Sequence, residues 1–533
     1  MSNRETESLL HSGSNETRQS IFSNSRGILC VIATLLGALI ASADESLMIT
    51  MYTIVGSDLR QLQEAPWLLI SYNLGYSIAL PICGKLAQIY GRKRPLLFCY
   101  ALFIIGNLWV GLAGSLWYAI AGRLVTGLGG AGLIGLVSVI ITGKFDSHPG
   151  IALFRSFVTV ITTVGRSGGP ALGAWLSDLI GWRWSFLSQC PVSIVCALLI
   201  AFSLPSDLAQ SERPGQERKS GFEAIRQIDF AGVLTFIVAV SAFVIFIDLG
   251  GDRLAWTHPA MIGLAAIFVS FSITFVLVEK FWATNPLTPL SLLMPTSGGG
   301  FCTIQIFVFL GRLATITNLT PFYIYTLGAS NTMAALYMVP SSVGAASGGL
   351  ASGIVFTRFY RYRLPSLICT LVAIASYSVI AIRWSDGLQS PLELSYIFIV
   401  GVCFGWTLSA QFVGMSMFTP KRYAAEGITA YYLSQQLGSI LGTNLSTKLL
   451  RNLFRRGLRA ALPQEENLDR DAMIEDIIKD SRFYQWLPES TRAVVRREYL
   501  SAFKSIPLLS IGANIVATGL MFLVPETGDT DDT

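Results

Sequence analysis

Long apolar stretches recur along almost the whole chain and are separated by short polar segments. A helix needs roughly 20 apolar residues to cross a hydrocarbon core about 30 Å thick. Fourteen segments reach this length, and the pattern predicts fourteen membrane-spanning helices, at residues 28–52, 66–86, 95–114, 118–142, 153–178, 185–204, 229–248, 259–278, 301–327, 332–356, 364–383, 394–417, 425–450 and 505–525.

The composition supports an all-α integral membrane protein. Of the 533 residues, 52% are hydrophobic and only 13% are charged, and the mean hydropathy is +0.55. In an average soluble domain, about a quarter of all residues are charged. The net charge of +5 is too small to indicate a nucleic-acid partner. Three histidines, and eight cysteines without a CxxC pair, indicate neither a metal site nor a disulfide framework, so we expect no cofactor.

The charges between the apolar stretches predict the orientation in the membrane. Loops after even-numbered spans carry fourteen lysines and arginines, whereas the short loops on the other side carry four. Because cytoplasmic loops are enriched in these residues, we expect both termini in the cytoplasm. The long segment 451–504 holds several arginines on the non-cytoplasmic side, but it also holds acids, and long loops follow the rule less strictly. Residues 468–480 are typical of a short amphipathic helix.

A weak internal repeat divides the chain into two related halves. The stretches GKLAQIYGRKR, from Gly84, and GIVFTRFYRYR, from Gly353, both follow a span rich in small residues and end in three cations. Related halves are typical of transporters. The predicted organisation is a disordered cytoplasmic tail, a six-helix bundle, a cytoplasmic linker, two inserted helices, a second six-helix bundle that includes the loop 451–504, and a short cytoplasmic tail, at residues 1–27, 28–204, 205–228, 229–278, 301–525 and 526–533.

The loop that begins at Gly84 resembles the loop between the second and third spans of the major facilitator superfamily. The match includes Gly84, Gly91, Arg92 and Lys93, while Gln88 stands where the family has an aspartate. In that family the loop controls how the two halves lock on the cytoplasmic side, and an amide at Gln88 would weaken any ion pair there. Alternatively, these residues are only a basic loop that sets the topology.

The fourth span contains AGRLVTGLGGAGLIG, in which Arg123 is a costly charge that should face protein or water. The stretch is similar to the superfamily's Arg-x-x-x-Gly motif, which is associated with proton transfer. A structural arginine bonded to carbonyl groups is the alternative.

The fifth span contains GRSGGPALGA, where glycines permit close helix packing and proline removes a backbone donor. It resembles the antiporter signature of the superfamily through Gly165, Gly169, Pro170 and Gly173, with Ala174 in place of the last glycine. Together with WRWSFL at 182–187, this resembles the fourteen-span drug:proton antiporter branch and implies exchange. Packing alone is the alternative for the glycines. Arg166 is a further candidate for the cavity.

Two adjacent carboxylates, Asp44 and Glu45, lie in the first span, where the same branch carries an aspartate. An ionised carboxylate at mid-bilayer costs about 2.5 to 3.5 kcal/mol and marks an ion or substrate pathway. Neighbouring helical side chains point about 100° apart. We expect Asp44 to face the cavity and to carry proton and cation in turn, and Glu45 to pair with Arg123 or Arg166. Alternatively, both acids form structural ion pairs.

The whole chain resembles the fungal vacuolar basic amino acid transporters of this branch. Glu5, Leu9 and Leu10 resemble an acidic dileucine sorting signal that an adaptor would bind. The resemblance implies a proton-coupled antiporter that imports lysine, arginine or histidine into the vacuole; its partners would be a cationic amino acid, protons and the bilayer. The alternatives are a plasma-membrane drug:proton exporter and a non-transporting nutrient sensor. A set of nucleophile, histidine and acid does not recur near one membrane face, so the sequence does not predict an enzyme.

Overall fold

The computed structural model describes most of the chain, with gaps. The described residues are 25–61, 64–142, 148–204, 229–251, 254–283, 287, 298–329, 331–358, 362–388, 390–420, 423–462, 470–479 and 487–524. The dileucine residues Glu5, Leu9 and Leu10, the linker 205–228 and the tail 526–533 lie outside this part of the chain.

The first half is a bundle of helices that cross back and forth. Its helices are α1 (Ser25–Asp58), α2 (Trp67–Tyr90), α3 (Lys93–Gly111), α4 (Leu116–Thr142), α5 (His148–Ile180), the short α6 (Trp182–Leu187) and α7 (Gln189–Ser203). Glycines permit its closest helix contacts, because a side chain at Gly75 or Gly127 would overlap backbone atoms of the facing helix in the α2–α4 pair.

Two further helices separate the first bundle from the second. The pair is α8 (Phe230–Leu249) and α9 (Pro259–Phe281). The second half then contains α10 (Gly299–Leu327), α11 (Asn331–Leu336), α12 (Val339–Arg358), α13 (Arg363–Arg383), α14 (Leu394–Phe418), α15 (Ala424–Ala461), α16 (Arg470–Lys479), α17 (Glu489–Phe503) and α18 (Ser505–Met521).

The described helices agree with the predicted all-α membrane architecture. A helix lies at each of the fourteen predicted spans, and the described residues form no strand beyond one isolated bridge. By length and apolar composition, twelve segments of the described chain are able to cross a membrane. The helices at the fifth and thirteenth positions, α5 and α15, are not among them, although they are 33 and 38 residues long. The number fourteen therefore stays a prediction.

The helix predicted within 468–480 is present as α16. It packs beside the last turns of α15, beyond the predicted span, through two ion pairs: Arg455 to Glu475 at 2.9 Å and Arg459 to Asp471 at 3.2 Å. The helix α15 also anchors the inserted pair α8 and α9, since Lys448 donates to the carbonyl oxygens of Ile247 and Asp248 at the end of α8. A cation is favourable at the carboxyl end of a helix, where the carbonyl groups lack helical partners.

The two halves meet along α2 with α15 and along α5 with α12 and α14. We call the end of the molecule that carries Gly84 to Lys93 the basic end; α2, α4, α12 and α14 end there, and α3, α5, α13 and α15 begin there. This is the end that the distribution of loop charges assigns to the cytoplasm.

Candidate functional site

Asp44 and Arg123 form a sealed ion pair inside the first half. Oδ2 of Asp44 lies 2.6 Å from Nη1 of Arg123, and neither side chain has any exposed surface. Gln189 of α7 donates to the other carboxylate oxygen at 3.1 Å. The guanidinium also lies 4.4 Å from the ring centre of Tyr72. Asp44 is therefore compensated by a full charge and an amide, and Arg123 by a carboxylate and an aromatic face.

Glu45 forms the second ion pair, and this pair is accessible. Oε2 of Glu45 lies 3.2 Å from Nη2 of Arg166, and the side chains are 22% and 43% exposed. The expectation that Glu45 pairs with Arg123 or Arg166 is confirmed for Arg166. The expectation that Asp44 faces the cavity is wrong in this structure, because the packing of α4 and α7 encloses Asp44 and leaves Glu45 accessible.

Close packing of α5 on α1 brings the second pair together. A methyl group at Gly165 would lie 2.6 Å from the carbonyl oxygen of Leu39, and one at Gly173 would lie 2.6 Å from Leu47. A methyl group at Gly169 would overlap the backbone of Ala43. The carbonyl of Pro170 accepts a hydrogen bond from the hydroxyl of Thr50 at 3.3 Å. The glycines that the sequence singled out thus flank Arg166 and hold it against Glu45.

Arg166 faces the interior of the protein, although it is accessible. Most exposed apolar residues of α5 point away from Arg166, and Phe157, Val164 and Trp175 do so most directly. At 100° per residue, each of these three points about 160° to 180° away from Arg166. Charged side chains within membrane-spanning helices face the interior of the helix bundle or a water-filled cavity, and the direction of Arg166 agrees with this rule. Next to it, Ser167 donates to Ser342 of α12 in the other half.

At the basic end, an ion pair joins the two halves. Nζ of Lys85 lies 3.8 Å from Oε1 of Glu426 in the first turn of α15, and both side chains are buried. Lys85 also donates to Gln88 at 3.1 Å. Gln88 therefore keeps a contact although it is an amide, and Lys85, three positions earlier, carries the charge that reaches the other half. Gly84 lets α2 approach Thr429 closely.

The next residues of this loop shape its backbone. Gly91 ends α2 with a φ of 79°, which side chains rarely adopt, so a glycine is needed there. Arg92 is buried and Lys93 begins α3.

A second set of contacts closes the basic end between the halves. Arg155 of α5 donates to the hydroxyl of Tyr432, which also lies 2.6 Å from the hydroxyl of Ser138. One turn deeper, Thr159 and Ser409 are 3.3 Å apart. These residues lie within about three helical turns of the basic end. The halves are therefore in contact at the basic end in this conformation.

Polar residues of the second half mainly bond their neighbours. Gln305 donates to Gln411, and Asn318 donates to Ser446 at 2.9 Å. Gln436 also bonds across the halves, since its amide donates to Asn73 of the first half at 2.9 Å. Within the described ranges, no group of three or more His, Cys, Asp or Glu side chains converges as a metal site.

Sequence reasoning missed several residues of these clusters, including Lys85 and Tyr432. Gln189, Arg155 and Glu426 each lie near a helix end, where polar residues are common. One signal was available: Arg155 and Glu426 lie in the first turn of a predicted membrane span, and a charge within a span is costly.

At the opposite end, α1 is tied to α6 by Asp58. Nε1 of Trp182 donates to its carboxylate at 2.9 Å, and Arg183 lies 3.1 Å away. The indole hydrogen bond and the guanidinium together lower the pKa of Asp58 below its usual value.

Comparison with known proteins places this architecture. The family model described as Major Facilitator Superfamily matches residues 34–443. The chain is 25% identical to "Multidrug resistance protein fnx1" of Schizosaccharomyces pombe, over 88% of this chain and 86% of that protein. It is 24% identical to "Vacuolar basic amino acid transporter 2" of Saccharomyces cerevisiae, over 83% and 94%.

A solved structure shows the same fold. The proton:xylose symporter XylE aligns with a TM-score of 0.57 at 14% identity, and the alignment covers 94% of this chain and 96% of that one.

Proposed function

The chain belongs to the major facilitator superfamily of membrane transporters, and from this we propose that it is a proton-coupled antiporter that moves basic amino acids from the cytosol into the vacuole. The protein is a multi-pass transporter of small molecules rather than an enzyme. The observation that carries the proposal is the accessible Glu45–Arg166 pair.

This pair is complementary to an amino acid. Arg166 offers a planar donor set that suits a carboxylate, and Glu45 offers an acceptor for an ammonium or guanidinium group. A bound lysine or arginine would replace each partner of the ion pair by a group of the same charge. A cationic side chain matches Glu45 better than a neutral one does, so we expect lysine, arginine and histidine as substrates.

Competition for Glu45 supplies the coupling in this proposal. A cation beside a carboxylate favours its charged form, whereas a proton removes the charge that holds the cation. In an acidic lumen, protonation of Glu45 would release the substrate, and the protonated carrier would return. Asp44 and Arg123 would position α1 and α4, because their pair is sealed from water.

The two halves alternate access to the site by rocking, as in related transporters. If the basic end is cytoplasmic, the contacts of Lys85 with Glu426 and of Arg155 with Tyr432 close the cytosolic side in this conformation. The tight α1–α5 packing would keep Glu45 and Arg166 together as the first half moves. We also propose that Glu5, Leu9 and Leu10 direct the protein to the vacuole through an adaptor.

The name of fnx1 supports a second candidate, a drug:proton exporter of the plasma membrane. This candidate would use the same carboxylate for a bulky cation, but it has no use for an arginine that binds a carboxylate.

Uptake into vacuolar vesicles tests the proposal. Vesicles from cells with and without the protein are energised with ATP, and the uptake of labelled lysine, arginine and histidine is measured with and without a protonophore. We expect uptake that requires the protein and the pH gradient and that is lost in Glu45→Gln. The control Asp58→Asn, which removes an acid outside the cavity, should retain it. Vesicles that are indifferent to the protein, or a protein confined to the plasma membrane, would favour drug export.

A further inference from the structure

Arg155 is a buried cation enclosed by neutral groups of the other half. Its residue surface is only 4% exposed. The guanidinium lies 4.4 Å from the ring centre of Phe412 and 5.2 Å from that of Tyr432. Its hydrogen bond goes to the hydroxyl of Tyr432. Aromatic faces and a hydroxyl group stabilise the cation but do not neutralise it.

Two arginines inside the first half have acidic partners, whereas Arg155 has none among the described residues. Arg123 pairs with Asp44 and Arg166 pairs with Glu45. Among the described residues, no carboxylate lies within ion-pair distance of Arg155, and its Nε donates to no described acceptor. A buried charge normally requires an opposite charge. No described carboxylate therefore neutralises the positive charge of Arg155, and this charge can bind an anion.

Arg155 lies on the same face of α5 as Arg166. The two residues are eleven positions apart, which corresponds to three turns with about 20° of offset and to about 16 Å along the axis. Thr159 lies between them on this face and meets Ser409. Arg155, Thr159 and Arg166 therefore form a polar stripe on one face of α5, from the accessible pair toward the basic end.

We propose that Arg155 is a second binding site for the substrate's carboxylate, used when the basic end is open. Tyr432 and Phe412 belong to the second half and would leave Arg155 when the halves separate there. The exposed guanidinium could then bind a carboxylate from the cytosol through two parallel hydrogen bonds. On closure, the returning Tyr432 and Phe412 would compete for Arg155 and favour transfer of the carboxylate to Arg166. The inference rests on the proposed function, because it requires an amino acid as substrate.

Comparing lysine with lysinamide tests this role, because the two share both amino groups and only lysine has a carboxylate. In energised vacuolar vesicles, whose outer face is the cytosolic one, the KM of lysine uptake and the inhibition constant of lysinamide are measured. In Arg155→Gln we expect the KM of lysine to rise about tenfold, while the inhibition constant of lysinamide changes less than twofold. The control Gln436→Leu removes a hydrogen bond between the halves, to Asn73, and keeps Arg155 and its contacts, so any change that it causes should be equal for lysine and lysinamide.

A purely structural role in holding the halves together predicts another result. Equal changes for lysine and lysinamide in Arg155→Gln, or a change confined to lysine in Gln436→Leu, would overturn the carboxylate site. If Arg155→Gln does not accumulate, Arg155→Lys keeps the charge and should still raise the KM of lysine selectively; parallel changes there would likewise overturn it. Wild-type vesicles that take up no lysine would instead overturn the proposed function, and the Arg155 site with it.

Discussion

The ion pair between Lys85 and Glu426 makes a quantitative prediction about the closed basic end. Replacing Glu426 by Gln leaves the charge of Lys85 buried between the halves, where its side chain is only 6% exposed. At 3.8 Å and an effective dielectric constant of about 20, the attraction in the pair is about 4 kcal/mol. Removing one partner of a buried pair costs about 3–5 kcal/mol, and we expect the lower value because Gln88 still accepts from Lys85.

This cost applies only while the basic end is closed, because an open end would hydrate Lys85. A loss of about 3 kcal/mol shifts the equilibrium between closed and open forms roughly 100-fold toward open. The double variant Lys85→Gln with Glu426→Gln places two neutral amides at the contact. It should return most of the population to the closed form.

Spin labels on opposite halves measure this shift. Arg94 and Leu364 are both exposed near the basic end, and a cysteine at each can carry a label. Seven of the eight natural cysteines are buried, so they should react slowly. Pulsed electron paramagnetic resonance should detect a longer distance between the two labels in Glu426→Gln and the original distance in the double variant. An unchanged distance distribution in the single variant, or a double variant as open as the single one, would refute the reasoning.

Three further predictions concern the first half. Gly169→Ala should abolish uptake because its methyl group overlaps α1, whereas Gly168→Ala, which meets no atom within 4 Å, should leave uptake intact; transport assays at equal protein abundance compare them. Asp44→Asn leaves Arg123 buried and unpaired and should cost about 3–5 kcal/mol of stability, read as a lower Tm in detergent; an unchanged Tm would contradict a sealed pair. Because folding lowers the pKa of Asp58, its stabilisation is present above the usual value of 3.8 and is lost as the pH falls through the lowered value. The Tm difference between the wild type and Asp58→Asn should therefore shrink below about pH 4; a difference that grows on acidification would contradict this sign.

The helices could be predicted from the sequence because a bilayer leaves the backbone few choices. Every peptide group inside the hydrocarbon core needs an internal partner, so a long apolar stretch forms a helix whatever its neighbours are. The same cost made Asp44, Glu45, Arg123 and Arg166 visible as candidates, since charges in such stretches are rare. The glycines of α5 were likewise visible, because small residues at helix contacts follow from close packing.

The tertiary structure decided which of these charges meet and which of them water can reach. Asp44 and Glu45 are adjacent, and their directions of about 100° apart exclude a shared position but do not say which one is enclosed. That choice depends on α4 and α7, which supply Arg123 and Gln189 from more than seventy residues away along the chain. The contacts of Lys85 with Glu426 and of Arg155 with Tyr432 join different halves, so only the docking of the halves creates them. Hydropathy is a property of each segment alone, whereas the partner of a buried charge is a property of the neighbours that packing brings to it.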